Sequence, residues 1–213
     1  MSWRDSTLDR IGDSHPFVAN YAMDSDEERE ERKRYADSEW MRRDDSWRQM
    51  APTRFADASP DDLDGPALDA FTEWRADATS NLLVFGPVGT GKSHFAYALA
   101  RHAFMCGIRV KCSSVIDMLN ALRPEGGGHI NHYAGSSLLV LDDLGTEKMT
   151  DWAAEQVNGI IDARWRDRLG TIVTSNLSPQ QLKETLGERA WSRLQDGAIA
   201  LTLTGSDRRR QAA

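Results

Sequence analysis

The segment Gly86-Pro87-Val88-Gly89-Thr90-Gly91-Lys92-Ser93 narrows the fold more than any other part of the chain. Its glycines let the backbone curl so that successive N–H groups point into one hollow, and such a hollow binds phosphate oxygens. The flanks decide whether the spacing is accidental. Leu82-Leu83-Val84-Phe85 precedes it as a short apolar run, and an alanine-rich run from Phe95 to Phe104 follows. Strand, glycine loop and helix in that order bring the positive end of the helix dipole to the hollow. Lys92 then reaches the β- and γ-phosphates of a nucleoside triphosphate, and the Ser93 hydroxyl ligates Mg2+. The preceding strand is apolar at every position, the pattern of a strand buried on both faces of a parallel sheet.

Two further apolar runs end in polar residues suited to the same chemistry. Leu138 to Leu141 leads into Asp142-Asp143. Beside a phosphate loop, Asp142 suits the metal, directly or through water. Asp143 suits accepting a proton from the attacking water, or orienting it. Paired acids at a strand end also serve as a turn or helix cap, an alternative that the phosphate loop disfavours. Thr171-Ile172-Val173-Thr174-Ser175-Asn176 is the third run, expected beside the other two strands. Asn176 is the candidate for an amide near the γ-phosphate, with Thr174 in reserve. The competing structural role is a helix N-cap at Asn176 or Ser178.

The 213 residues suffice for one α/β domain with its own core and an added segment. Strands are expected at 82–85, 108–112, 138–141, 171–175 and 199–203. Helices are expected at 67–78, 91–105, 113–123, 150–168, 178–185 and 188–195. Alternation of this kind implies a parallel sheet covered on both faces. The formal charge of −7 is uneven: residues 1–65 hold 10 Lys/Arg and 17 Asp/Glu, whereas the rest of the chain carries 16 of each. A neutral domain does not advertise nucleic-acid binding, so any DNA contact must come from a local stripe. Cys106 and Cys112 fit no metal spacing and are expected as reduced thiols. No apolar run approaches the roughly 20 residues that span a bilayer. The first residues lack the apolar centre of a signal peptide, so a cytoplasmic location is expected.

The N-terminal part divides in two. Residues 1–23 are mixed and broken by Gly12 and Pro16; Trp3, Leu8 and Ile11 could share a short helical face, but disorder in isolation is expected. Residues 24–50 contain no Gly or Pro and read as a helix. Asp24 or Ser25 suits the cap, and Asp26, Glu27 and Glu28 suit the first turn. Ala36, Trp40, Trp47 and Met50 fall on one narrow face. That stripe either packs on its own domain or anchors a partner, since two Trp on a charged helix have the composition of a binding hot spot. Pro52, Pro60-Asp61-Asp62 and Gly65-Pro66 mark the turns that follow.

Several stretches carry a family likeness in order: Arg48 to Phe55, Asp142-Asp143-Leu144-Gly145, Ile160-Ile161-Asp162-Ala163-Arg164, Thr174-Ser175-Asn176-Leu177, Gly187 to Leu194, and Leu203 to Arg209. From about residue 48 to the end the chain resembles DnaC-type helicase loaders and their relatives, the DnaI-type loaders and IstB-type transposition helper ATPases. The resemblance implies an AAA+ phosphate-loop ATPase core, α/β with a parallel five-stranded sheet between helices and without a C-terminal helical lid. A helical N-terminal segment, 1–50, would precede the ATPase domain, 51–213. It implies ATP and Mg2+ as cofactors and self-assembly with ATP at subunit interfaces. Arg193, or else Arg189, would be supplied to the neighbour's nucleotide. It also implies a hexameric DnaB-type replicative helicase as partner, held through residues 1–50, and single-stranded DNA along the assembly's interior. Asp143 stands where most AAA+ proteins have Glu, which points to slow turnover. The N-terminal part departs from the family in being short, acidic and free of zinc-binding cysteines. His129, His132 and Tyr133, in a small insertion, are candidates for stacking on bases. An IstB-type transposition helper is the second reading; a small-molecule kinase and an ATP-switched binding module are further alternatives.

Overall fold

The strands are β1 (Leu82–Phe85), β2 (Val110–Ser114), β3 (Leu138–Asp142), β4 (Gly170–Ser175) and β5 (Ile199–Thr202). They form one parallel sheet in the order β2-β3-β4-β1-β5. The computed structural model describes residues 2–13, 26–74, 79–145 and 149–204. β1, β3 and β4 are buried along their whole length, because helices cover both faces of the sheet. Side chains alternate between the faces. Leu82 and Val84 join one apolar cluster, with Phe95, Leu99 and Trp74. Leu83 and Phe85 join the other, with Val157, Ile160 and Leu182. This is the α/β phosphate-loop core expected from the sequence.

The register positions the site. Phe85 pairs with Ser175 and Leu141 with Val173, so β1, β4 and β3 end along one edge. The loop after β1, the acids after β3 and the polar end of β4 therefore meet outside the carboxyl ends of adjacent strands, where α/β sheets place ligands. β4 lies between the other two, as its sequence led us to expect.

The covering helices are α3 (Gly65–Glu73), α4 (Lys92–Met105), α5 (Val115–Leu122), α6 (Asn131–Ala134), α7 (Asp151–Arg166), α8 (Pro179–Leu186) and α9 (Glu188–Gln195). α3 starts two residues before the expected point and ends at Glu73; residues 75–78 of the expected helix lie outside the described residues. Ser114, not Ser113, caps α5: its hydroxyl accepts the Asp117 N–H at 3.0 Å. Inside the fold, Arg164 is a buried cation held largely by backbone carbonyls. Its guanidinium donates to the carbonyls of Tyr133, Ala134, Ser136 and Gly170 and to the Thr171 hydroxyl. Burial pulls its pKa down to about 10, so it stays charged and ties α7 to β4 and to the segment before β3.

Two helices precede this core. α1 (Trp3–Asp13) is a short helix docked on α2 and the end of α4, a setting in which the disorder expected of it in isolation does not arise. Its Trp3, Thr7 and Ile11 recur at four-residue spacing and are buried, which gives the helix a tertiary face that its composition hides. Residues 14–25, including the expected caps Asp24 and Ser25, lie outside the described residues. α2 (Asp26–Met50) matches the expected helix. Its tryptophans turn inward. Trp47 is fully buried in the cluster with α4 and β1, 5.8 Å from Phe104, and donates its indole N–H to the Ala56 carbonyl at 3.0 Å. Trp40 packs edge-on against Trp3 at 5.2 Å, with Met105 in the same cluster. Met50 is exposed. The stripe offered as a partner anchor thus belongs, at Ala36, Trp40 and Trp47, to the chain's own core. An indole buried on its own domain has no area left for a partner.

Candidate active site

The phosphate loop folds as its residues dictate. Gly86 has φ +144° and runs so close to β5 that a Cβ there would lie 2.2 Å from the Leu203 carbonyl oxygen. Gly91, at φ +96°, turns the chain in the left-handed region and opens α4. The first N–H groups of this 14-residue helix thus face the hollow. Thr90 closes the loop on itself, its hydroxyl donating to the Pro87 carbonyl at 2.9 Å.

Lys92 is 5% exposed. Its ammonium donates to the Pro87 carbonyl at 2.9 Å and to Asn176 Oδ1 at 2.6 Å. Ser178 caps α8 and so takes the structural role considered for Asn176, leaving that amide to the site. Thr174 joins the two acids. Its hydroxyl donates to Asp142 Oδ1 at 2.6 Å and accepts the Asp143 N–H at 2.9 Å. Asp143 takes a φ of +60°, an uncommon conformation for a non-glycine residue that turns the chain sharply after β3. The Asp142 carboxyl is pushed above its usual range by burial, against hydrogen bonds from Thr174 and Ser93 and the charge of Lys92. A buried carboxylate bonded to the Ser93 hydroxyl is the oxygen-donor pair that a hard divalent cation takes, so the residues fit Mg2+.

A cleft of about 720 Å3 opens over these groups, a volume within the range of ligand sites. Val88, Gly89, Gly91, Lys92 and Ser93 form its floor, and Asp143 and Asn176 line it near Lys92. The remaining wall is Arg54, Phe55, Asp62 and His94, none of which was singled out from the sequence for this role. The signal was faint: Phe55 lies in the approach to the core, and His94 directly follows the loop. Phe55 stacks on Tyr97 with centroids 4.7 Å apart, which fixes its ring at the cleft.

Other expected residues lie elsewhere. Arg189 and Arg193 are on α9, outside this cleft, and both pair with Asp162 of α7. Arg193 also lies 5.0 Å from the Trp165 ring and is mostly covered, whereas Arg189 is 77% exposed. His129 and His132 are exposed, with rings 6.3 Å apart. Tyr133 is buried under Lys111, which removes it from the candidates for base stacking.

Replicative helicase loader DnaC of Buchnera aphidicola subsp. Baizongia pistaciae is 27% identical over 139 residues, 60% of this chain and 56% of that protein. DnaC of Escherichia coli strain K12 is 26% identical over 125 residues, 55% of this chain and 51% of that protein. The chain thus spans about half the length of the curated relatives it matches. The crystal structure of the DnaC helicase loader superposes with a TM-score of 0.63 at 24% identity, covering 72% of this chain and all of that one. DnaI gives 0.62 at 22% identity, covering 74% and 94%. Replication initiator DnaA bound to AMPPCP and single-stranded DNA gives 0.58 at 23% identity, covering 74% and 51%. These likenesses show the fold, that of an AAA+ core. The profile of the family described as IstB-like ATP binding protein matches residues 61–196, and the chain belongs to that family.

Proposed function

We propose that this chain is an ATP-dependent loader that binds a hexameric DnaB-type replicative helicase and helps place it on single-stranded DNA in the cytoplasm. The observation that carries the nucleotide half of this reading is the Lys92–Asn176 bond in the cleft, beside the Asp142–Thr174–Asp143 array. The loader half rests on the relatives, which carry the name replicative helicase loader.

In this reading ATP lies with its phosphates in the loop. Lys92 contacts the β- and γ-phosphate oxygens, and Asn176, already bonded to Lys92, senses the γ-phosphate. Mg2+ held by Ser93 and Asp142 would neutralise charge on the phosphate oxygens. Asp143 orients a water for in-line attack on the γ-phosphorus and takes its proton as the bond to the bridging oxygen breaks, giving ADP and phosphate. Thr174 is the positioning residue that fixes both acids. Arg193, with Arg189 as the second choice, completes the site of a neighbouring copy. Hydrolysis is slow and rises on assembly or with DNA.

The division into a partner-binding segment, 1–50, and an ATPase domain, 51–213, is part of the proposal. With the tryptophans inside, the helicase contact falls to the outward side of α1 and α2, where Met41 is 61% exposed. Co-elution with the replicative helicase of the same genome, with and without Mg·ATP, tests the reading. Met41→Glu is expected to weaken the complex while leaving nucleotide binding intact. A second reading, an IstB-type transposition helper, is favoured by the family profile. Failure to bind any helicase, together with ATP-dependent preference for duplex DNA and a transposase, would replace the first reading by the second.

A further inference from the structure

The Asp62 wall of the cleft belongs to a three-residue turn, Pro60–Asp62, that also holds the N-terminal helix. A capping box closes this turn: Ser59 Oγ accepts the Asp61 N–H at 3.1 Å, and Asp62 Oδ2 accepts the Ser59 N–H at 3.1 Å. The same Asp62 Oδ2 lies 3.2 Å from His94 Nε2, in the first turn of the phosphate-loop helix α4. Its neighbour reaches the other way. Asp61 Oδ1 accepts the Trp3 N–H at 2.9 Å. That N–H is one of the first-turn donors of α1, which have no carbonyl within the helix to bond.

The contact continues onto α4. The Trp3 indole N–H donates to His102 Nδ1 at 2.6 Å, and the Arg101 guanidinium lies 5.2 Å from the Trp3 ring. Arg101 also pairs with Asp44 of α2 at 2.6 Å and donates to the Ala58 carbonyl at 3.3 Å, two residues before the turn. Two successive carboxylates of one turn therefore serve two structures. One faces the cleft beside His94, and the other anchors the start of α1.

We propose that nucleotide occupancy of the cleft and docking of α1 are linked through the Pro60–Asp62 turn. Nucleotide tightens α1 on the core, and a partner that draws α1 away weakens nucleotide binding. The linkage rests on the nucleotide assignment of the cleft made above. Its direction follows from mass action: a ligand stabilises the arrangement that binds it. That arrangement includes the wall of Arg54, Phe55 and Asp62. When α1 leaves, Asp61 loses its partner, the turn loses one of its two fixed ends, and the wall is no longer held. The effect is reciprocal, so the factor by which nucleotide protects α1 equals the factor by which docked α1 strengthens nucleotide.

Amide hydrogen exchange of residues 3–13 in the full chain, with and without Mg2+ and a non-hydrolysable ATP analogue, tests the linkage alongside the Kd of that analogue. In the wild type, saturation is expected to slow exchange of α1 by at least about 5-fold, the lower end for coupled sites. Asp61→Ala is expected to speed exchange of α1, to remove the slowing by nucleotide, and to weaken the analogue by up to the same factor. Asp61 is exposed, so this variant folds. Asp61→Asn keeps an acceptor oxygen and is expected to behave as the wild type. If the analogue binds the wild type and exchange of α1 does not change, the linkage is overturned while the cleft assignment stands. If the analogue does not bind the wild type, both fall.

Discussion

Replacing Trp47 with Ala tests whether α2 is part of the core or an appendage to it. Trp47 is fully buried, packs against Tyr97 and Phe104, and donates its indole N–H to the Ala56 carbonyl. A tryptophan buries roughly 150–250 Å2, which at about 25 cal/mol per Å2 amounts to about 4–6 kcal/mol of transfer energy. A compact unfolded chain lowers that figure, whereas the cavity and the abandoned Ala56 carbonyl raise it. The expected loss is about 4–5 kcal/mol, within the range for large aromatic deletions. That is a large share of the roughly 5–15 kcal/mol that holds a domain folded. Urea unfolding followed by far-ultraviolet circular dichroism measures it. Trp40→Ala, at the interface with α1, is expected to cost less and mainly to expose α1 to exchange. A loss below about 1 kcal/mol in Trp47→Ala would refute the inward packing and return Trp47 to the surface as a partner anchor.

Asp142→Asn removes a carboxylate whose pKa is raised by burial. Because the folded pKa lies above the unfolded one, the site favours folding most below the unfolded value and loses that contribution as pH rises through the folded value. The variant is therefore expected to be more stable at neutral pH and to melt at a higher Tm, while Mg2+ no longer strengthens ATP binding. A lower Tm would contradict this sign. His102 shows the opposite case: burial, and then the charge of Arg10, hold its pKa down at about 4. Its contribution is complete above the unfolded value near 6.5 and is lost as pH falls toward 4, so acidification from pH 7 to pH 5 is expected to cost about 1–2 kcal/mol. His102→Gln keeps an acceptor for Trp3 but gains no proton, and its urea midpoint is expected to change less over that range; an unchanged slope would exclude His102 as the cause.

The core was legible because its signals are local. β1, the phosphate loop and α4 follow one another in sequence, and the apolar runs of β3 and β4 end in the residues that meet at the cleft. Lys92 and Asn176 are 84 positions apart, yet strand alternation with parallel pairing brings them to one edge. What escaped the sequence is tertiary. Trp3, Thr7 and Ile11 make a buried face only because α2 and the end of α4 lie against them. The inward turn of Trp40 and Trp47 was undecidable because the stripe on α2 is narrow and both of its uses demand the same residues. Arg54, Phe55 and Asp62 reach the cleft through the path of short turns, which no periodicity encodes. The sequence offers Thr174 only as a second candidate for a γ-phosphate sensor. Its bonds to both acids depend on the register between β3 and β4 and on the turn at Asp143.

Titration calorimetry of Mg·ATP against the wild type and Lys92→Ala is the most direct test of the nucleotide site on which the account rests. Lys92 is the buried cation of the cleft, bonded to the Pro87 carbonyl and Asn176. The wild type is expected to bind, and Lys92→Ala to lose most of the affinity while unfolding in urea with a wild-type slope. Equal affinity in the two proteins would contradict the assignment of the cleft to the phosphates of ATP.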